Sequence, residues 1–390
     1  MNLGIDLHNV RDGGGVSYTS NLLAAFDPER HGFKAIHVYG AAAVLARLPD
    51  RPCIVKHSHP LLSRSLPHRL RFLFFRLTAQ LRADGCDMLY SPGGLYFGGF
   101  RPFATISRNM MPFEPRHWAM YPLLSFDRLR LVLLRWLHTA TFRRADGMVF
   151  LTEIARRIVG SAMGPAGCSR RSVIAHGVNR QLFGRHGREA LPGAVERGDP
   201  ITLIYPSRLE PYKHQVEVIE AVAMLRREFP RLSVDLCGQA NPGYLPQVEA
   251  AIARVDPHGA FVRYRGEVPL AQLPDYYEKA HLLVFASSCE NLPNTLLEAM
   301  SFGVPIVSAN RPPMPDLAQT ACLYFDPQDV VSIVDSIRQA LLDWPGTVGR
   351  VQTGLELAQT YSWDRCADQT FAFLRSCHLT GSRTTSSSNT

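Results

Sequence analysis

Two carboxylates, Glu290 and Glu298, bracket the run Glu290-Asn-Leu-Pro-Asn-Thr-Leu-Leu-Glu298. Between them lie Asn291, Leu292, Pro293 and Asn294, whose turn and cap character ends a loop near Asn294 and starts a helix there. Thr295–Phe302 reads as that helix, with Gly303 as its left-handed stop. Unsatisfied N–H groups at a helix start can hold an anion. One acid precedes the helix and the other lies about a turn inside it, so both can face one ligand. A molecule with a phosphate and several hydroxyls suits that arrangement. Taken alone, the segment reads first as solvated surface, where acids usually stand.

Two cations answer the acids. Arg208 and Lys213 occur in Tyr205-Pro-Ser-Arg-Leu-Glu-Pro-Tyr-Lys213, directly after an apolar run that reads as a strand. Arginine grips phosphate oxygens with a two-pronged fork, and lysine acts as a point charge. Near the amino terminus, Asp12-Gly13-Gly14-Gly15-Val16-Ser17 follows another strand candidate and opens a helix. Glycines there let backbone approach a ligand closely, although a plain tight turn reads as well. Arg108 and Asn109, after a further strand, and His176, after the last strand of the first half, complete the candidates.

The elements that must hold these residues alternate short apolar runs with helical patterns, the signature of parallel α/β sheets. Strands are expected at Leu3–Leu7, Lys34–Tyr39, Met88–Ser91, Ala104–Ser107, Met148–Leu151 and Val173–Ala175. A second series follows at Ile201–Tyr205, Ser233–Cys237, Phe261–Tyr264, Leu282–Phe285, Val304–Val307 and Leu323–Phe325. Helices are expected over Leu123–Arg143 and His214–Phe229. At 390 residues, two domains are the natural division. The Gly-, Pro- and charge-rich stretch 184–200 reads as a link between domains 1–183 and 201–379, with a disordered tail at 380–390. The last helix is free to cross back to the first domain. Two Rossmann-like, doubly wound domains facing across a cleft would bind ligands at the carboxyl ends of their strands.

Composition narrows the classes. Hydrophobic residues make up 46% and charged residues 19%, as in a soluble globular protein. The eight cysteines include no CxxC pair, which speaks against a zinc or disulfide framework and for a reducing cytoplasm. No signal peptide and no apolar run of membrane-spanning length is visible. Residues 1–190 carry 26 Lys/Arg against 12 Asp/Glu (+14), and residues 191–390 carry 16 against 22 (−6). In the basic half, Arg64, Arg69, Arg71, Arg76 and Arg82 interleave with Leu66, Leu70, Phe72, Leu73, Phe74, Phe75 and Leu77. That pattern suits an anionic membrane surface, or a core helix with a solvated basic face. Basic residues are not clustered with stacking aromatics in a nucleic-acid module, so no nucleic-acid partner is expected.

The segments Pro206-Ser-Arg208…Lys213, Glu290…Glu298-Ala-Met, Ser308–Pro315 and Tyr324-Phe-Asp-Pro327, with Tyr361-Ser-Trp363, resemble glycosyltransferase family 4. The resemblance is dense from Val173 to Trp363 and thinner before it, and within the family it leans to bacterial mannosyl- and rhamnosyl-transferases of surface polysaccharide assembly. It implies the α/β GT-B architecture and a retaining sugar-nucleotide transferase. It further implies that Arg208 and Lys213 hold the donor diphosphate, Glu290 the sugar hydroxyls, and the amides of Asn291–Asn294 sugar and phosphate. Glu298 would accept from the ribose hydroxyls. The loop Gly266–Val268 would touch the base, and Gly14 and Gly15 would lie beside the diphosphate and acceptor. Many relatives carry a histidine where this chain has Arg108 and Asn109. Those two therefore either replace its polar role, meet the acceptor, or only pack.

The expected partners are a nucleotide sugar and a glycan or polyprenyl-linked acceptor, with peripheral membrane contact through the basic half. No Asp-x-Asp triplet is present, so no metal held that way is expected and the site needs no cofactor beyond its donor. GDP-mannose is the leading donor. A rhamnosyl or other hexosyl donor is the nearest alternative, and a sugar-nucleotide epimerase or a non-enzymatic basic binding protein are the rivals.

Overall fold

The computed structural model describes residues 1–11, 13–165, 167–168, 170–184 and 198–386. Asp12 of the glycine-rich motif, most of the proposed link at 184–200 and the last four residues of the tail lie outside them. The chain forms two compact units. Unit 1 comprises 1–113, 124–177 and 362 onward; unit 2 comprises 114–123 and 178–361.

Unit 1 contains, among the described residues, strands β1 (Asn2–Asp6), β2 (Ala35–Gly40), β3 (Ile54–Ser58), β4 (Met88–Ser91), β5 (Phe103–Ser107), β6 (Gly147–Phe150) and β7 (Arg171–Val173). They pair in parallel in the order β3-β2-β1-β4-β5-β6-β7. Residues of β1 and β4–β6 are almost wholly buried, as expected for strands covered by helices on both faces. β3 was not expected from the sequence. Its run Ile54-Val-Lys-His-Ser58 sits at the sheet edge with mixed exposure, so it lacks the continuous apolar signature of a central strand.

Unit 2 contains β8 (Ile201–Pro206), β9 (Leu232–Cys237), β10 (Val262–Tyr264), β11 (Leu282–Phe285), β12 (Ile306–Ala309) and β13 (Leu323–Phe325), all parallel, in the order β10-β9-β8-β11-β12-β13. In each sheet the strand order reverses once, between β1 and β4 and between β8 and β11. Such switch points open crevices at the carboxyl ends of the flanking strands.

Two segments cross the division read from composition. Glu114–Leu123 joins unit 2 although it lies between β5 and β6, and Val178–Phe183 already belongs to unit 2. The final helix, Trp363–Ser386, is grouped with unit 1 and runs past Thr380, where the polar composition favoured a disordered tail. No helix among the described residues is long and apolar enough to cross a membrane.

Candidate donor site in the second unit

The loops after β8 and β11 meet at the switch point of unit 2. The first runs through Ser207–His214 and carries both cations; the second runs through Ala286–Pro293 and carries Glu290. Ser288 N donates to the Tyr212 carbonyl at 2.9 Å, and the Ser288 hydroxyl lies 3.0 Å from His214 Nε2. These links stitch the loops together and bring the Lys213 ammonium onto the Glu290 carboxylate as an ion pair. The side chains are only 11% and 16% exposed, so little water screens them. Lys213 Nζ also lies 5.4 Å and 5.5 Å from the ring centres of Tyr212 and Phe285. The Tyr205 hydroxyl donates to the Lys213 carbonyl at 2.6 Å, fixing the backbone beneath the cation. His214 follows in the left-handed conformation (φ 53°), which turns the loop sharply into the helix Gln215–Leu225.

Arg208 is placed differently. Its guanidinium is 59% exposed, with Nε 3.9 Å from Glu210 Oε1, a long and solvent-screened pairing that holds it only weakly. Its backbone is anchored, because Gln215 Nε2 donates to the Arg208 carbonyl at 2.9 Å. Glu210 in turn accepts from Tyr121 Oη at 3.1 Å and Asn241 Nδ2 at 2.9 Å.

The helix Asn294–Phe302 starts beside these groups. Pro293 stands at its cap position and no side chain caps it, while Thr295 Oγ1 donates to the Pro206 carbonyl at 3.1 Å and ties its first turn to the end of β8. Its leading amides are therefore presented at the switch point, where an anion gains from the helix dipole. Asn291 and Leu292 are buried and shape the loop, and Asn294 is exposed. Glu298, a turn further on, faces Tyr277. Burial pushes its carboxyl up to about 7, with the Tyr277 hydrogen bond pulling the other way.

Gly266 adopts φ 66°, and its carbonyl accepts from Gly238 N at 2.7 Å, so the Gly266–Val268 loop is tied to the loop after β9. Gly238 was not singled out in the sequence. A Cβ there would lie 2.0 Å from the Ser207 carbonyl oxygen, with φ at 154°. Its signal was present, a glycine at the end of the apolar run Leu232–Cys237. Gly238→Ala is expected to displace the Arg208 loop and to lower unfolding free energy by about 1–3 kcal/mol in a urea titration. His117 and Tyr121 left no such signal, since no local pattern shows that 114–123 folds with residues 90 positions away. In the fold, burial and neighbouring His214 pull the His117 imidazole down.

The remaining candidates belong to unit 1. The helix Gly13–Ala24 begins at Gly13 with φ 58°, so Gly14 and Gly15 lie in its first turn, after β1 at the switch point. A Cβ on Gly15 would lie 3.0 Å from Val10 Cγ1 and 3.2 Å from an Arg108 terminal nitrogen. Arg108 lies over the Tyr18 ring at 5.2 Å, and no carboxylate among the described residues pairs with it. Burial pulls its guanidinium down, opposed by Tyr18 and Tyr90. Asn109 accepts from Met111 N at 3.1 Å and so caps a short turn. His176 is buried and stacked on Trp363, rings 5.8 Å apart and 14° from parallel. The stretch 64–82 divides between its two readings: Phe72, Leu73, Leu77 and Leu81 are buried, while Leu66, Phe74 and Phe75 are exposed. His59, Leu61, Arg64, Arg71, Phe75 and Arg76 line a pocket of about 770 Å³ there.

Two cations, an uncapped helix start and two glutamates thus gather at the switch point of a doubly wound sheet. Residues 188–351 match the family described as glycosyl transferases group 1. Among curated proteins, the O-antigen chain mannosyltransferase B of Escherichia coli is 32% identical over 167 residues, 43% of this chain and 44% of that protein. A GDP-mannose-dependent alpha-(1-6)-phosphatidylinositol monomannoside mannosyltransferase of Mycolicibacterium smegmatis is 27% identical over 212 residues, 51% of this chain and 54% of that one. The chain thus spans about half the length of these relatives. Sucrose-phosphate synthase from Thermosynechococcus elongatus superposes with a TM-score of 0.75 at 16% identity, covering 97% of this chain and 100% of its own. HepE of Anabaena, crystallised with UDP, gives 0.67 at 18%, covering 96% and 99%. The whole chain therefore has the GT-B fold.

Proposed function

We propose that this protein is a retaining, family 4-type hexosyltransferase that moves mannose from GDP-mannose to a glycan or polyprenyl-linked glycan acceptor in bacterial surface-polysaccharide synthesis. The observation that carries the reading is the Lys213–Glu290 pair beside the uncapped start of the helix Asn294–Phe302. A donor diphosphate there takes Lys213 and the helix amides, Arg208 swings onto its outer oxygens, and Glu290 turns to the sugar hydroxyls. Glu298 accepts from the ribose. As the bond from the anomeric carbon to phosphate oxygen breaks, charge grows on the phosphate, and cations already in place stabilise it without reorganising. The acceptor oxygen bonds to the same face of the anomeric carbon, and its proton passes to the departing phosphate. No metal is needed for these steps. The half-buried Arg108 beside Gly15, with no carboxylate partner among the described residues, stands in for the histidine of many relatives and is assigned to an anionic or hydroxyl group of donor or acceptor.

Mannose is favoured because mannosyl transfer is named for relatives of this chain, one acting in O-antigen assembly and one drawing on GDP-mannose. A lipid-linked acceptor accords with peripheral contact of the basic first half with the inner face of a cytoplasmic membrane.

A donor screen tests the assignment. GDP-mannose at about a hundred times its Kd is expected to add roughly 2.7 kcal/mol to the stability of the folded chain, raising Tm above that of other sugar nucleotides. NMR of the product is expected to report the donor's anomeric configuration unchanged. No stabilisation by any sugar nucleotide, or an inverted product, contradicts the assignment.

A further inference from the structure

The helix Phe126–Arg144 shows much of its apolar surface to solvent. Its buried side chains are Leu131, His138, Thr141 and Phe142. On the opposite side Phe126 is 79% exposed, Leu129 56%, Val132 45%, Leu133 58% and Trp136 77%, and Leu124 just before the helix is 83% exposed. At roughly 100° per residue the five helical positions fall within an arc of about 120°, away from the buried stripe. Arg130 borders that arc on one side, and Arg128 and Arg135 border it on the other. Asp127 is the one acid between Leu124 and Arg144. A contiguous apolar face of this size on a soluble fold marks an interaction surface.

We propose that this helix lies in the plane of an anionic membrane, with Leu124, Phe126, Leu129, Leu133 and Trp136 among the acyl chains and Arg128, Arg130 and Arg135 on lipid phosphates. An apolar face edged by arginines, with an aromatic at the boundary, is what the interface between headgroups and acyl chains receives. Charge chooses this occupant over a second copy of the chain. Two such faces packed together would bring two sets of arginines side by side, whereas an anionic bilayer answers each one. The inference locates the membrane contact proposed above and is independent of the donor chemistry.

The full chain is mixed with vesicles of phosphatidylcholine alone, or with added phosphatidylglycerol, and floated on a density gradient. The chain is expected to float with the anionic vesicles, less so as salt rises, and acyl chains carrying bromine are expected to quench Trp136 emission. The triple variant L129S/L133S/W136S is expected to lose about tenfold or more of its partitioning with an unchanged Tm. R128Q/R130Q/R135Q is expected to flatten the salt dependence. Wild-type chain that stays below the vesicles overturns the proposal, as does a triple variant that floats like wild type. A wild-type dimer that the triple variant turns into a monomer, without flotation of either, assigns the face to a second copy. No sugar nucleotide is present, so each outcome is separate from that of the donor screen.

Discussion

Lys213→Ala is expected to lower kcat by about 10²- to 10³-fold, the range that follows loss of one preorganised group facing a developing oxyanion. The effect should fall on kcat at least as heavily as on KM, because charge on the leaving diphosphate grows as the bond breaks. The same change leaves Glu290 16% exposed with no ammonium beside it, next to Tyr212 and Cys289, whose own acidities burial has already suppressed. A partly buried carboxylate stripped of its partner costs about 1–3 kcal/mol of stability. Lys213→Met combined with Glu290→Gln removes both charges and keeps the shapes. That pair is expected to recover most of the stability while remaining as inactive as Lys213→Ala. Steady-state kinetics beside urea unfolding separates the two effects. Lys213→Ala with wild-type kcat removes the phosphate role.

Glu298→Gln is expected to change how both stability and nucleotide binding respond to pH. In the fold the Glu298 carboxyl sits at about 7, against about 4.3 for an unstructured glutamate. Between these values the folded chain holds a proton that the unfolded chain has released, so this group's contribution falls as pH rises from about 4 to 7. The full span is roughly 3–4 kcal/mol, and the glutamine variant is expected to lack it. Binding runs the other way. Ribose hydroxyls donate to the ionised carboxylate, so nucleotide affinity should rise as pH climbs through about 7, and binding near neutrality should release a proton. Titration calorimetry in buffers of different ionisation enthalpy reads that proton directly. The variant is expected to bind more weakly and to release none. Identical proton release by wild type and variant would place the ribose elsewhere.

The parallel series of apolar runs was legible because strands buried on both faces need no alternation, and twelve of them stand out as short apolar blocks between helical patterns. Edge strands are less so. β3 alternates burial with exposure and carries Lys56 and His57, so hydrophobicity alone does not mark it. The loops that carry the proposed donor site could be read because glycine, proline and asparagine punctuate strand ends, where a doubly wound sheet binds ligand. What they do to one another could not. That Lys213 and Glu290, 77 positions apart, form an ion pair depends on the order β8–β11 in the sheet, and that Arg208 points to solvent depends on rotamers. Likewise the 3.6-residue periodicity of 123–143 announced a helix without saying which stripe faces the core. Leu131 and Trp136 are both apolar, yet one is buried and the other lies open.

The decisive measurement is a crystal structure of the chain with GDP-mannose. Diphosphate oxygens are expected within hydrogen-bonding distance of Lys213 Nζ, the Arg208 guanidinium and the first amides of the helix Asn294–Phe302, with Glu298 on the ribose. Nucleotide seated away from that helix start, with Lys213 still closed on Glu290, would contradict the proposed donor site.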